Sequence, residues 1–488
     1  MRASSSQAPT VPASTTAEPA EPAEPAEPAE RSGSSRTFWI WLGAAVVLGL
    51  AVRLVYAYYA KWDNVIGGDA AYYHYQANAL AKGLGFVDPW SWALRRTGVQ
   101  HGAEHPPLYT LFLAIPSVLG FDTFREHMVA GTILGSLTCG VVGLAGRAVA
   151  GPRVGIVAAF LAAIYANLWI NDGLVMSETI TAFIVAFVVW FAYRFWRVPS
   201  WQNAAWFGLA CGFAALTRAE VVVYFPIVAL PLVLRARGLV TKQRLQRFGV
   251  MVVLAAVPVL PWVGYNLSRF NEPVTLSTGG DFTLANTYCH TTFYGERLGW
   301  WDLGCMKDRW ALPGDESEVA QEFRQDGLDY LTSHLDRYPV VVAARVGFMW
   351  DVYRPFQKLR WDSFESGRSP NEVTRLALGQ FYALFIVAVI GLVMLRRRKI
   401  IIYPLIGLAV TCTLAAMIAF GSTRYRVPAE IALVIAAAVP LVWLLDRWFP
   451  AAKRVGPPAP DPDPEPPDPD GAPDHDGDLV RAPEPVAS

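Results

Sequence analysis

The chain has 488 residues, of which 53% are hydrophobic, 13% aromatic and 17% charged, where an ordinary soluble domain carries about 25% charge. Its formal net charge is zero, but the acids gather at the two ends, so the body between them holds about ten more bases than acids. Such a composition excludes a water-surrounded globule and, with no soluble basic patch, a nucleic-acid binder; it suits a membrane protein that handles anions.

Residues 1–36 are rich in Ala, Pro and Glu and end in an EPA repeat. They offer nothing to bury and are expected to be a disordered tail. The start lacks the apolar run of a signal peptide, and the first such run, from about Thr37, has no small-residue cleavage site after it, so it reads as a retained anchor. A membrane helix needs about 20 apolar residues. Runs of that kind occur near 37–59, 126–149, 154–171, 174–196, 202–217, 219–234, 248–266, 373–395, 400–420 and 427–446. The expected architecture is therefore all-α and polytopic, with about 10 transmembrane helices in a membrane domain over 37–446. The run 106–121 is shorter, opens with two prolines and contains Pro116; it reads as a helix in the interface.

Charge sets the expected orientation. Every second gap is basic: Arg147 with Arg153, Arg194 with Arg197, the cluster Arg235 to Arg247, then Arg396 to Lys399, and Arg447 with Lys453 and Arg454. The positive-inside rule makes these cytoplasmic, together with both termini. Counting 106–121 as a span would scatter the clusters over both sides. The extracytoplasmic side then receives the first loop 60–125, a large loop 267–372, and short turns at 172–173, 217–220 and 421–426. The end of the chain, 447–488, reads as a cytoplasmic tail, disordered and Pro/Asp-rich from about 455, where His475 among aspartates has no fixed geometry for a metal. Cys139, Cys211 and Cys412 fall in spans, whereas Cys289 and Cys305 share the large loop. On an oxidising side a Cys289–Cys305 disulfide is expected, the alternative being two free thiols. No CxxC or Cys/His cluster points to structural zinc.

The unusual polar residues all fall on the extracytoplasmic side. Asp69 follows two glycines just after the first span; it reads either as a helix N-cap or as a sheltered general base. Glu178 opens the fourth span in LVMSETI, as an N-terminal capping partner or part of a polar site. Arg218 and Glu220 share a turn and could simply pair. Arg424 and Arg426, in GSTRYRVPAE, run against the positive-inside bias, and a guanidinium fork suits a phosphate, donor or lipid headgroup. His105 in EHPPLY could cap a helix, donate to a phosphate or bind a metal. No P-loop or Rossmann glycine pattern is present, which disfavours nucleotide-driven chemistry. Group transfer at the outer face from a lipid-borne anionic donor is the simplest reading.

The stretches GGDAAYYHYQANALAKGLGF, AEHPPLYTLFLA, MSETITAF, AALTRAE, NLSRFNEPVTLSTGGDFTLANTYC and STRYRVPAE, in this order over roughly 38–446, resemble membrane glycosyltransferases of the C-type fold, the bacterial relatives of protein O-mannosyltransferase and of lipid A aminoarabinose transferase. The resemblance implies a polyprenyl-phosphate sugar donor and transfer of mannose or a related sugar to an acceptor hydroxyl on the outer face, usually with inversion. It implies Asp69 as the base, Glu178 as the second acidic position, and His105, Arg218, Arg424 and Arg426 at the donor phosphate. Many relatives carry Asp-Glu in the first loop where this chain has Asp69-Ala70, which leaves a divalent-metal role open and no cofactor firmly implied. The acceptor, a glycan, lipid or protein, would be met by the large loop, whose Trp300, Trp301, Trp310, Trp350 and Trp361 could stack on sugars or simply sit at the interface. Two competing readings are a lipid-linked-sugar transporter or flippase, which should show inverted repeats, and a catalytically silent scaffold.

Overall fold

The computed structural model describes residues 30–63, 67–309, 313–368 and 371–448. The expected tails, apart from the start of the first helix, and Trp310 lie outside these residues. By contacts Met1–Trp443 forms one compact unit and Leu444–Ser488 a second, of which only the end of the last helix is described.

The first helix, α1 (Glu30–Tyr56), begins inside the stretch read as a tail and runs on into a π-turn, Ala57–Lys61. Next come α2 (Gly68–Ala81) and α3 (Leu108–Val118) in the first loop, then α4 (Phe124–Ala150), α5 (Pro152–Ile164), α6 (Ala166–Asp172), α7 (Glu178–Arg197), α8 (Trp201–Ala215), α9 (Tyr224–Leu234) and α10 (Thr241–Leu267). The large loop carries α11 (Gly279–Thr287), α12 (His290–Phe293), α13 (Glu316–Ser333), α14 (Tyr338–Met349) and α15 (Pro355–Phe364). The chain closes with α16 (Asn371–Arg397), α17 (Tyr403–Ile418) and α18 (Val427–Trp448). Among the described residues there is no strand, only an isolated bridge between Val87 and His101.

All ten apolar runs are helical, and the chain is a multi-pass membrane protein. Six helices are long and apolar enough to cross a membrane, or seven if α5 and α6, bent by 56° at Tyr165, count as one span. The three remaining runs make shorter helices, because polar breaks stop them. α8 ends at Ala215, just ahead of Thr217 and Arg218, and a 3-10 turn (Ala219–Val223) leads into α9. α17 ends at Ile418, ahead of a 3-10 turn (Thr423–Arg426) that carries two arginines. Each break puts a guanidinium at the end of a helix, on the side that carries the site.

Small residues let the helices close on each other, as expected where no water drives them together. α4 packs against α1, α5 and α7, with Gly143 facing Leu42, Ala159 and the Gly155 carbonyl. A Cβ at Gly391 of α16 would collide with the Ala436 carbonyl of α18. α18 is the most buried of the long helices and runs through the core on alanines 436 to 438. Within this core Arg53 Nε donates to Asp172 Oδ2 at 2.6 Å, both side chains at most 3% exposed. That pair ties α1 to the end of α6 and so fixes the break from which α7 starts.

In the large loop Cys289 and Cys305 are joined by a disulfide, their Cα atoms 6.3 Å apart. The tryptophans divide. Trp300 is fully buried, its Nε1 donating to Glu365 Oε2 at 2.8 Å, and Trp350 Nε1 donates to Thr413 on α17 at 3.0 Å. Trp301 lines the large cavity described next.

Candidate active site

A cavity of about 1420 Å³ opens where the first loop, the large loop and the ends of α7, α8 and α17 meet. Asp69 reaches it from the first turn of α2. The backbone there turns at Gly68, whose φ of +53° favours a residue without Cβ, and Gly67 is the N-cap. The carboxylate of Asp69 is therefore not spent on capping. It accepts instead from Arg424 Nη2, and its other oxygen lies 3.9 Å from His105 Nε2. Burial alone would raise the Asp69 carboxyl, but Arg424 and His105 beside it hold it well below the usual carboxylate range.

Glu178, the first residue of α7, stands behind the arginines and is absent from the cavity wall. Its Oε1 accepts from Arg218 Nη1 at 2.8 Å and from Arg424 Nε at 2.9 Å, and the side chain is 1% exposed. Arg218 also donates from Nε to Glu220 Oε1 at 2.5 Å, and its guanidinium carbon sits 4.3 Å from the centre of the Tyr425 ring. Arg218, Arg424 and Glu220 all line the cavity. The result is an alternating array, Asp69–Arg424–Glu178–Arg218–Glu220, contributed by α2, α7 and two turns far apart in sequence.

His105 completes the wall. Its ring stacks on Tyr73 at 4.9 Å and meets Tyr72 edge-on at the same distance. Its neighbour Glu104, which the sequence pattern quotes only in passing, also faces the cavity. Glu104 Oε2 accepts from Trp90 Nε1 at 3.0 Å, and Oε1 lies 3.9 Å from His105 Nε2. Its backbone is fixed by the large loop, since Gly279 N donates to the Glu104 carbonyl at 3.0 Å. A Cβ at Gly279 would strike that carbonyl oxygen. Arg269 supports the same segment by donating to the carbonyls of Phe86 at 2.6 Å and Gly102 at 2.8 Å. A signal for Glu104 was present in AEHPPLY, but no helical or strand periodicity marks a loop residue as site-facing.

The structure brings Asp69, Glu178, His105, Arg218 and Arg424 together, and it does not bring Arg426. That side chain is fully buried behind the cavity, where Nε donates to Glu430 Oε1 and Nη1 to Asp351 Oδ2, both at 2.6 Å, and Nη1 also to the Met349 carbonyl at 2.7 Å. The expected donor-phosphate role for Arg426 is corrected accordingly: the 3-10 turn places side chains two residues apart on different faces, so Arg424 faces the cavity and Arg426 the core. Arg426→Ala is expected to destabilise the protein by about 3–5 kcal/mol, because it leaves buried carboxylates uncompensated. Thermal unfolding in detergent checks this.

Among the described residues no group of three or more His, Cys, Asp or Glu has the geometry to hold a metal ion. Asp69 and Glu104 do flank one imidazole nitrogen, but Asp69 is taken by Arg424. Among the described residues these groups do not form a divalent metal site, and no step below runs through one.

The helical bundle has the polytopic C-type membrane glycosyltransferase fold. The oligosaccharyltransferase AglB from Archaeoglobus fulgidus, in complex with an inhibitory peptide and a dolichol-phosphate, superposes with a TM-score of 0.52 at 14% identity, over 87% of this chain and 53% of that one. The same enzyme with Zn and sulfate gives 0.50 at 16% identity, over 84% and 49%. This chain thus spans about half the length of that enzyme. ArnT from Cupriavidus metallidurans bound to undecaprenyl phosphate is a more distant likeness, with a TM-score of 0.40 at 17% identity over 82% and 79%. In sequence, residues 104–262 match the model of the dolichyl-phosphate-mannose-protein mannosyltransferase family. No curated protein matches the chain in sequence.

Proposed function

We propose that this protein is a membrane glycosyltransferase that moves a sugar, mannose or a related one, from a polyprenyl-phosphate donor to an acceptor hydroxyl on the extracytoplasmic face, with inversion. The observation that carries the reading is the pair Arg218 and Arg424, exposed to a large cavity beside a carboxylate and held from behind by Glu178. The matched family's name and the lipid phosphates in the structures of the neighbouring enzymes support the same donor class.

The chemistry follows from the array. The acceptor oxygen attacks the anomeric carbon, the bond from that carbon to the phosphate oxygen breaks, and the phosphate leaves with the electron pair. Charge grows on the phosphate as the bond breaks, so arginines facing it stabilise the transition state more than the ground state. Asp69 takes the hydroxyl proton. At rest it is a weak base because Arg424 holds it. A bound phosphate competes for Arg424, and as that guanidinium turns to the donor, the Asp69 carboxylate regains basicity. Donor arrival and base activation are thereby linked, which protects the site from idle proton transfer. Glu178 positions both arginines and does not touch substrate.

The test is transfer by the full chain in liposomes, with labelled polyprenyl-phosphate mannose, a panel of other polyprenyl-phosphate sugars and crude envelope acceptor. Label moving from lipid to acceptor is expected. Donor crossing the bilayer with no label transferred would replace this reading with a transporter.

A further inference from the structure

Resting on the transferase reading above, we propose that Glu104 is a second catalytic carboxylate, which receives through His105 the proton that Asp69 takes from the acceptor hydroxyl.

The geometry is a three-group line. His105 Nε2 lies 3.9 Å from Asp69 Oδ1 and 3.9 Å from Glu104 Oε1. That nitrogen is buried and has no hydrogen-bond partner, an uncommon state for an interior polar atom. The ring is clamped by Tyr73 and Tyr72, so it can rock but not leave. A small rotation closes either gap to the hydrogen-bonding range of about 2.6–3.2 Å that proton transfer needs. Glu104 itself is anchored, its side chain by Trp90, its backbone N–H donating to Tyr72 Oη at 3.2 Å and its carbonyl accepting from Gly279.

The two carboxylates differ in what faces them. Asp69 has Arg424 against it at rest, and the return of that guanidinium as the phosphate leaves makes Asp69 a poor resting place for a proton. Among the described residues no guanidinium bonds Glu104. Burial pushes Glu104 up to about 7, and the acids Asp69 on α2 and Glu316 on α13 push the same way, against the lowering effect of His105 and the Trp90 N–H. Tyr72, the other titratable group in contact, is held neutral by its own burial among these acids. A proton that starts on Asp69 therefore runs towards Glu104.

The balance closes without any further reactant. The acceptor O–H bond breaks and its electrons form the new bond to the anomeric carbon. The proton passes to Asp69, then to the lone pair of His105 Nε2, and from that nitrogen the same proton goes on to Glu104. The phosphate keeps the electron pair of the broken glycosyl bond, and Glu104 later gives the proton to water in the cavity.

Glu104 can accept only as a carboxylate, so transfer should rise with pH through about 7. The experiment compares wild type, Glu104→Gln and Glu104→Asp in liposomes with one polyprenyl-phosphate sugar across pH 5–9. Expected is a fall in kcat of about 100-fold for Glu104→Gln, with donor KM unchanged and the acidic limb of the profile gone. Glu104→Asp should restore much of the rate, with the limb moved to lower pH. A Glu104→Gln enzyme that keeps the wild-type limb overturns the assignment; should that variant not fold, a limb that stays in place in Glu104→Asp does so. Wild type that transfers from no donor would instead overturn the underlying transferase reading.

Discussion

Asp69→Asn is expected to lower transfer by a factor of about 10²–10⁴, the range for loss of a positioned proton acceptor, while donor binding is retained. The change is isosteric and sits in the first turn of α2, where the backbone is set by Gly67 and Gly68 rather than by the carboxylate. The Asp69 side chain is 31% exposed, so removing its charge leaves little buried imbalance. Arg424 keeps its second partner, Glu178, and with no carboxylate competing for Nη2 it remains aimed at a phosphate. A labelled-donor transfer assay together with a donor-binding measurement on the same liposomes reads both quantities. Equal transfer by mutant and wild type would remove Asp69 from the mechanism and turn attention to Glu104, which also lies beside His105.

Glu178→Gln should act on the site from behind and cost far more in stability. The native carboxylate serves two guanidiniums with one oxygen and is 1% exposed. Glutamine offers a neutral acceptor of the same shape, so the two guanidiniums lose the counter-charge they share. Breaking a buried pair in this way costs about 3–5 kcal/mol, seen as a lowered melting temperature in detergent or nanodiscs. Polyprenyl phosphate should recover part of that loss, because its phosphate supplies the missing negative charge. The pattern separates positioning from proton transfer. Were Glu178 a proton-transfer group, the variant would lose kcat with its melting temperature intact and no rescue by the lipid phosphate.

The apolar runs made the membrane class and the helical content legible from sequence, since a run of that length has no other way to satisfy its backbone in lipid. The polar interruptions were legible for the same reason: Asp69, Glu178, Arg218 and Arg424 stand out because charge is costly there. Only the tertiary structure decided how those residues are used. Arg424 and Arg426 look alike in STRYRVPAE, and a two-residue step around a 3-10 turn sends one to the cavity and the other to Glu430 and Asp351. Glu178 reads as a capping partner or a second acidic position, yet its place behind the arginines depends on the α5–α6 bend and on the Arg53–Asp172 pair. Glu104 lies in the quoted AEHPPLY stretch but was not singled out there, because a loop residue gains its meaning from what closes over it, here Trp90 and Gly279, 14 and 175 residues away in number. Periodicity and the cost of charge in lipid act along the chain and can be read from it, whereas the pairing of charges across 40 to 355 residues is set by helix packing that no local pattern encodes.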